Sequence, residues 1–328
     1  MEGVKLDKIP KLKNPYLILA WPGMGEVASQ AGRYLMEQLK AVEFASIPAE
    51  DFFYLTGSVV EKGLLSAPSL PQSKFYYWKN SYNKGGGRDL IIFLSSAQPD
   101  LANAQNYCER IIKVAQYFKV KTIIGFAAMP QPIDHTQEPH VWFAASHKEL
   151  LDNLKKYNFN LLNEGQISGM NGLFLGLAKE RGLAGFCLLG EIPLYTIQIK
   201  NPKASLAVLN ALSKIIGIKI DFSKLTGQIQ TMEDEINKFL DYLKIGSSTS
   251  GPIGEEDIEK MKKALAQLTK LPVSVKENVE KLFISAKKDI SQAAELKKEL
   301  DKWNVYKEYE DRFLDLFRKA EDKGAKGN

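Results

Sequence analysis

The chain has 328 residues, enough for one large α/β domain with an appendage or for two domains. Its 44 Lys and Arg against 39 Asp and Glu leave a net charge of +5, too little over this length for a strong nucleic-acid footprint. There is no basic leader followed by an apolar core, and no apolar run long enough to span a bilayer, so no membrane partner and a cytoplasmic location are expected.

Residues 1–245 alternate between strand and helix patterns, which predicts a largely parallel sheet covered on both faces. Strands are expected at 16–21, 42–47, 57–60, 74–79, 89–95, 121–126, 141–145 and 184–190. Helices are expected at 25–40, 103–118, 147–156, 170–181, 202–216 and 223–244. The first strand stops at Trp21-Pro22-Gly23-Met24-Gly25, and a helical pattern starts at once. A strand–glycine loop–helix junction points backbone N–H groups and a positive helix end into the crevice at the strand's carboxyl edge. It invites a nucleotide-binding reading, but the position of a third glycine holds Ala28, and the second strand ends in Ile47-Pro48 before Glu50 and Asp51. Glu26 in the first helical turn answers the helix dipole from within the chain. No Gly-Lys-Ser/Thr follows, so no cofactor is expected.

Farther on, Gly85-Gly86-Gly87 fits a mobile hairpin loop between two strands. Gln98-Pro99 and the stretch from Gly125 to Pro130 read as loops after apolar strands, on the same sheet edge as the first junction. His135, His140 and His147 cluster beside Glu138, yet Pro132 and Pro139 mark a loop and the spacing puts no two histidines on one helix face. No metal site is expected, and His140, just before a strand, is the histidine nearest the cleft. A second small-residue junction, Gly165 to Gly172, leads into the next helix, with Ser168 or Asn171 placed to cap it. Its order, Gly-x-x-Ser-Gly, is not that of a nucleophile elbow. Glu191 closes another apolar strand at the same edge. Cys108, on an expected helix, and Cys187, in an expected strand, lie in apolar contexts and read as buried free thiols.

Beyond Ile245 the composition changes. Gly246-Ser247-Ser248-Thr249-Ser250-Gly251-Pro252 reads as a flexible linker, and charged residues become about twice as frequent after it while nearly cancelling in sign. Ile258, Met261, Leu265 and Leu268 form one apolar helical stripe. A second runs from Val279 through Leu282, Ala286, Ile290, Ala293 and Leu300 to Trp303, and Asn304 marks a turn. A third helix carries Tyr306, Tyr309, Phe313, Leu314 and Phe317. These stripes need partners, either one another, the main domain or another subunit. The expected organisation is a domain at 1–245, a linker at 246–254 and a helical extension at 255–328.

In order along the chain come Gly23-Met24-Gly25, Gln98-Pro99, Gly125-Phe126, the Gly165–Gly172 turn, Gly182-Leu183-Ala184-Gly185, Leu189-Gly190-Glu191-Ile192-Pro193 and Asn201-Pro202-Lys203-Ala204. This series resembles the proteasome assembly chaperone-2 family over about residues 16–245. The resemblance implies a three-layer α/β/α domain similar to nucleoside phosphorylases and related hydrolases, homo-oligomers, and in some relatives a part in assembling proteasome rings. Proteasome-docking relatives can end in a hydrophobic-Tyr-x motif; this chain ends Ala325-Lys326-Gly327-Asn328, so insertion of the tail into a ring is not expected.

No nucleophile, base and orienting group can be assembled from the loops, so enzyme chemistry is not indicated. The leading expectation is a non-catalytic assembly or scaffolding protein, a homo-oligomer of three or more copies with a protein client. The alternative is a small-ligand protein or enzyme of the nucleoside-phosphorylase type. Its crevice candidates are Gly23, Met24, Gly25, Gln98, Gly125, His140, Ser168, Asn171, Gly172 and Glu191. A third expectation gives the tail a regulatory part, folded over that crevice or bridging subunits.

Overall fold

The structure, a computed structural model, describes residues 2–55, 57–80, 88–245, 273–303 and 305–324. The expected linker at 246–254, the stripe at Ile258–Leu268 and the loop at Gly85–Gly87 lie outside the described residues.

Nine strands build the main sheet: β1 (Lys5–Leu6), β2 (Tyr16–Ala20), β3 (Val42–Ile47), β6 (Ser73–Trp78), β7 (Leu90–Ser95), β8 (Thr122–Gln131), β9 (Val141–Ala145), β10 (Asn160–Leu161) and β11 (Gly185–Pro193). Two more, β4 (Val60–Glu61) and β5 (Leu64–Leu65), pair only with each other. The sheet order is β1-β3-β6-β7-β2-β8-β11-β9-β10. The helices of the domain are α1 (Val27–Gln38), α2 (Ala104–Tyr117), α3 (Lys148–Leu154), α4 (Met170–Glu180), α5 (Pro202–Ile216) and α6 (Ser223–Ile245). The extension holds α7 (Val273–Lys288), α8 (Ala293–Lys302) and α9 (Tyr306–Gly324).

Strand alternation sorts the core into two layers. In β2, Ile18 and Ala20 face α1, α3, α5 and α6, whereas Leu17 and Leu19 face α2 and α4. Both sets are essentially sealed from water, as a strand run apolar on both faces requires.

The sheet is mixed, which corrects the expectation of a largely parallel one. The strands β7, β2, β8 and β11 are parallel, but β6 runs antiparallel to β3 and β7, and β9 antiparallel to β11. The reason is the connections. No crossover helix separates β3, β6 and β7 among the described residues, and only antiparallel neighbours can be joined without one. The strand expected at 57–60 shrinks to the ribbon β4–β5, and β8 continues through Gly125 to Gln131, paired with β11 up to Pro193.

The three extension helices form their own small core from Val279, Phe283, Ala286, Leu296, Leu300, Phe313 and Leu316, with Leu194 of the domain packed against it. The single stripe expected from Val279 to Trp303 is broken in two at Asp289, whose side chain accepts the Ser291 N–H at 3.0 Å and starts a new helical turn.

Candidate functional site

The glycine loop after β2 turns back on its own chain. Gly25 holds φ at +59°, donates its N–H to Ile197 O at 2.7 Å and accepts from Asn201 N at 2.8 Å. A Cβ there would come within 3.3 Å of the Asn201 side chain, so glycine suits both the angle and the space. The next N–H, of Glu26, bonds Gly23 O at 3.0 Å. The Glu26 carboxylate lies 3.2 Å from Arg33 and 3.8 Å from Lys200, exposed pairs of modest worth. These N–H groups, expected to aim at an anion, are thus engaged within the protein.

The second junction locks onto the first. The Gln98 amide donates to Pro22 O at 2.7 Å and accepts the Met170 N–H at 3.1 Å. Asn171 accepts the Trp21 N–H at 3.1 Å and donates to Trp21 O at 3.2 Å, acting as one more strand partner at the end of β2. Helix α4 starts at Gly169 without a side-chain cap, so neither Ser168 nor Asn171 fills the capping role expected of it. Its first turn packs so tightly that a Cβ on Gly172 would overlap the carbonyl of Ile167. Gly125 is not in a loop. It sits in mid-strand, where a Cβ would lie 3.4 Å from the carbonyl oxygen of Asn171.

Glu191 is buried and accepts two hydrogen bonds from the neighbouring strand segment, from His140 N at 2.8 Å and from Trp142 Nε1 at 2.7 Å. His140 thus contributes its backbone, and its residue is exposed. The buried imidazole is that of His135, only 4% exposed, while the His147 ring lies 2.7 Å from Ser146 Oγ at the surface. Tyr195 Oη accepts the His135 N–H and lies 2.9 Å from its Nδ1, while Nε2 lies 2.9 Å from Asn237 Oδ1. Beside it Lys203, also buried, donates to Glu233 at 2.6 Å and to Thr136 O at 2.9 Å. This network pins α5 and the loop after β8 to α6. Sequence reasoning missed it, although Lys203 in the first turn of a helix opposes the dipole and so signalled an acidic partner.

The crevice itself is a cavity of about 130 Å³ lined by Met24, Ala127 to Pro130, Leu162, Glu164 to Ser168 and Leu189. Its remaining wall comes from the extension, through Asn278, Glu299 and Trp303. Trp303 donates its indole N–H to Glu299 at 2.8 Å. Of the sequence candidates, Met24 and Ser168 line this space. Gly25, Gln98, Asn171 and Gly172 brace the loops around it, and His140 and Glu191 join β9 to β11. Gly23 is exposed at the loop tip. Cys108 and Cys187 are free and buried, and burial pushes both thiols up to about 12, far from a nucleophile's range. No described helix is long and apolar enough to cross a membrane.

The chain is similar to known proteins over most of this architecture. It is 28% identical to the uncharacterised protein MJ1210 of Methanocaldococcus jannaschii, over 77% of this chain and 95% of the relative. Among solved structures, PbaB of Pyrococcus furiosus, an archaeal proteasome activator, superposes with a TM-score of 0.62 at 28% identity, covering 72% of this chain and 97% of PbaB. The unknown-function protein Rv2714 of Mycobacterium tuberculosis shares the fold, with a TM-score of 0.63 at 16% identity over 89% of this chain and 93% of its own. Residues 17–240, which hold both glycine junctions, β8, β11 and the Lys203 network, match the model of the PAC2 family, and the chain belongs to that family.

Proposed function

We propose that this protein is a non-catalytic assembly or scaffolding protein that works through protein–protein contacts as a homo-oligomer of three or more copies, with a proteasome particle as its client. The observation that carries the reading is the likeness to PbaB, at 28% identity over 97% of that activator's length. The site geometry supports it. Gln98, Asn171 and Glu191, the polar side chains best placed to meet a ligand, each engage two groups of their own chain. The cavity of about 130 Å³ is well below the ~300 Å³ at which small-molecule pockets usually begin. The phosphorylase-type alternative therefore has less support.

The test mixes the purified full chain with the proteasome core particle of the same organism. Co-elution on gel filtration and a changed rate of peptide hydrolysis are expected. No co-elution and an unchanged rate, together with a thermal shift produced by a nucleoside or phosphate, would reverse the order of the two readings.

A further inference from the structure

The connection between β3 and β6 leaves the body of the domain as an apolar arm. Its root is firm. Phe52 and Phe53 are buried against Tyr107, with ring centroids 5.0 and 5.9 Å away, and the returning chain is tied down where Ser96 N–H donates to Gln72 O at 2.9 Å. Between these anchors residues 57–69 are all exposed. They carry the ribbon β4–β5, in which Val60 pairs with Leu65 and Glu61 with Leu64 across a turn at Lys62-Gly63. Both turn residues have positive φ, +51° and +82°, as a tight two-residue hairpin requires.

The composition of the arm is the anomaly. Tyr54, Leu55, Val59, Val60, Leu64 and Leu65 are 56–76% exposed. Glu61 and Lys62 are the only charges from Tyr54 to Leu70, and they cancel. Leu101, 82% exposed, lies beside the root, where Asp100 N–H donates to Phe52 O at 3.0 Å. A two-stranded ribbon of this size is marginal in water by itself. Soluble monomers rarely leave contiguous apolar patches beyond a few hundred Å² uncovered.

We propose that this ribbon is the surface by which one copy of the chain docks on a second copy, a reading that rests on the homo-oligomer proposed above. Two considerations select that occupant. Taken over both faces of the ribbon and its root, the six exposed side chains offer a clasping copy on the order of 700 Å², close to the ~800 Å² that each partner gives to a stable interface. An apolar arm that the described residues leave unburied also needs a constitutive occupant, and another copy of the same chain is always present at matching concentration. The cancelled charges argue against a strongly charged partner such as nucleic acid. Among the described residues the outer edges of β4 and β5 pair with nothing, so main-chain hydrogen bonding to the neighbouring copy is open as well.

Sedimentation velocity of the full chain beside a Val60→Lys/Leu65→Lys variant tests this, since the two residues are cross-strand partners on one ribbon face. The expected result is an oligomer for the parent chain and, for the variant, association weakened at least 100-fold with an unchanged circular dichroism spectrum. A second readout covers a variant that misfolds. A benzophenone maleimide attached to Leu65→Cys, on that same face, is directed to that position because Cys108 and Cys187 are buried, and on illumination it should produce a covalent dimer. If the parent chain is an oligomer while the double variant assembles equally well and no dimer adduct forms, the ribbon is overturned and the oligomer stands. If the parent chain is monomeric at every concentration, the homo-oligomer reading fails and the ribbon interface fails with it.

Discussion

Replacing Asn171 by Ala separates a structural amide from a ligand-binding one. Asn171 is 6% exposed and Trp21 is fully buried, and the two exchange hydrogen bonds of 3.1 and 3.2 Å. The ladder to β8 ends at Leu19↔Gly125 and that to β7 at Ala20↔Leu94, so the Trp21 backbone lies one step beyond its strand partners. Truncation leaves one N–H and one C=O without those partners, at about 1–3 kcal/mol each, or roughly 2–6 kcal/mol together. At about 2–4 °C per kcal/mol for a domain of this size, the melting temperature should fall by roughly 4–24 °C. Asn171→Asp keeps the acceptor for Trp21 N–H but turns a carboxylate oxygen toward Trp21 O, so it should be no more stable than the alanine variant at neutral pH. Thermal melts followed by near-ultraviolet circular dichroism, in phosphate-free buffer with no ligand, read both. An alanine variant melting within 1 °C of the parent chain would refute the reasoning and return Asn171 to the list of ligand contacts.

Gly172→Ala should fail to accumulate as a soluble folded protein, because its Cβ would overlap the Ile167 carbonyl in backbone that has no room to move; normal yield and melting would contradict the packing. Ellman's reagent should leave Cys108 and Cys187 untouched at pH 8 and titrate both in urea, since both are buried. With both thiols raised from 9.0 to about 12, the fold holds them protonated while the unfolded chain ionises, so their contribution to stability should be level below pH 9 and then fall toward pH 12. The slope they add should be about 1.4 kcal/mol per pH unit per thiol, and Cys108→Ala/Cys187→Ala should remove that share in urea titrations, leaving the part due to the raised Tyr34, Tyr76 and Tyr107. Trp303→Ala should cost the extension about 3–5 kcal/mol, seen as faster proteolysis within residues 273–324 while the melting of the α/β domain is kept. Unchanged proteolysis would mean that Trp303 does not hold the bundle.

The layered fold could be read in the sequence because its signals are local. The run Leu17–Ala20, the glycines at 23 and 25, and the helical pattern at 103–118 each specify an element from residues close together in the chain. What escaped depends on partners far along the chain. Strand direction in β3, β6 and β9 follows from connections, not from residue pattern, and β8 continues through Gly125 because β11 pairs with it all along. The break at Asp289 was masked by a continuous apolar stripe, although Asp-x-Ser at that point is itself a capping signal. The site shows the same division. Sequence order brought Gln98 and Asn171 to one sheet edge, but whether an amide faces solvent or a backbone 150 residues away is decided only by tertiary packing.

The two ends of the chain's polar and apolar accounting meet at that edge. Side chains that a ligand site would leave free are committed to joining the β2 loop, α4 and the β9–β11 pair, and the extension closes the small cavity left between them. The strands β2, β7 and β8 are parallel and β3 runs the same way, so the arm that follows β3 springs from the very edge that carries the closed crevice. One edge of the sheet thus pairs polar side chains engaged by their own chain, the buried Trp21 Nε1 excepted, with an apolar ribbon that the described residues leave exposed. Binding free energy is available at groups left uncovered, and among the described residues the largest exposed apolar set at this edge is on the ribbon. That asymmetry favours a protein whose chemistry is association over one whose chemistry happens in a pocket.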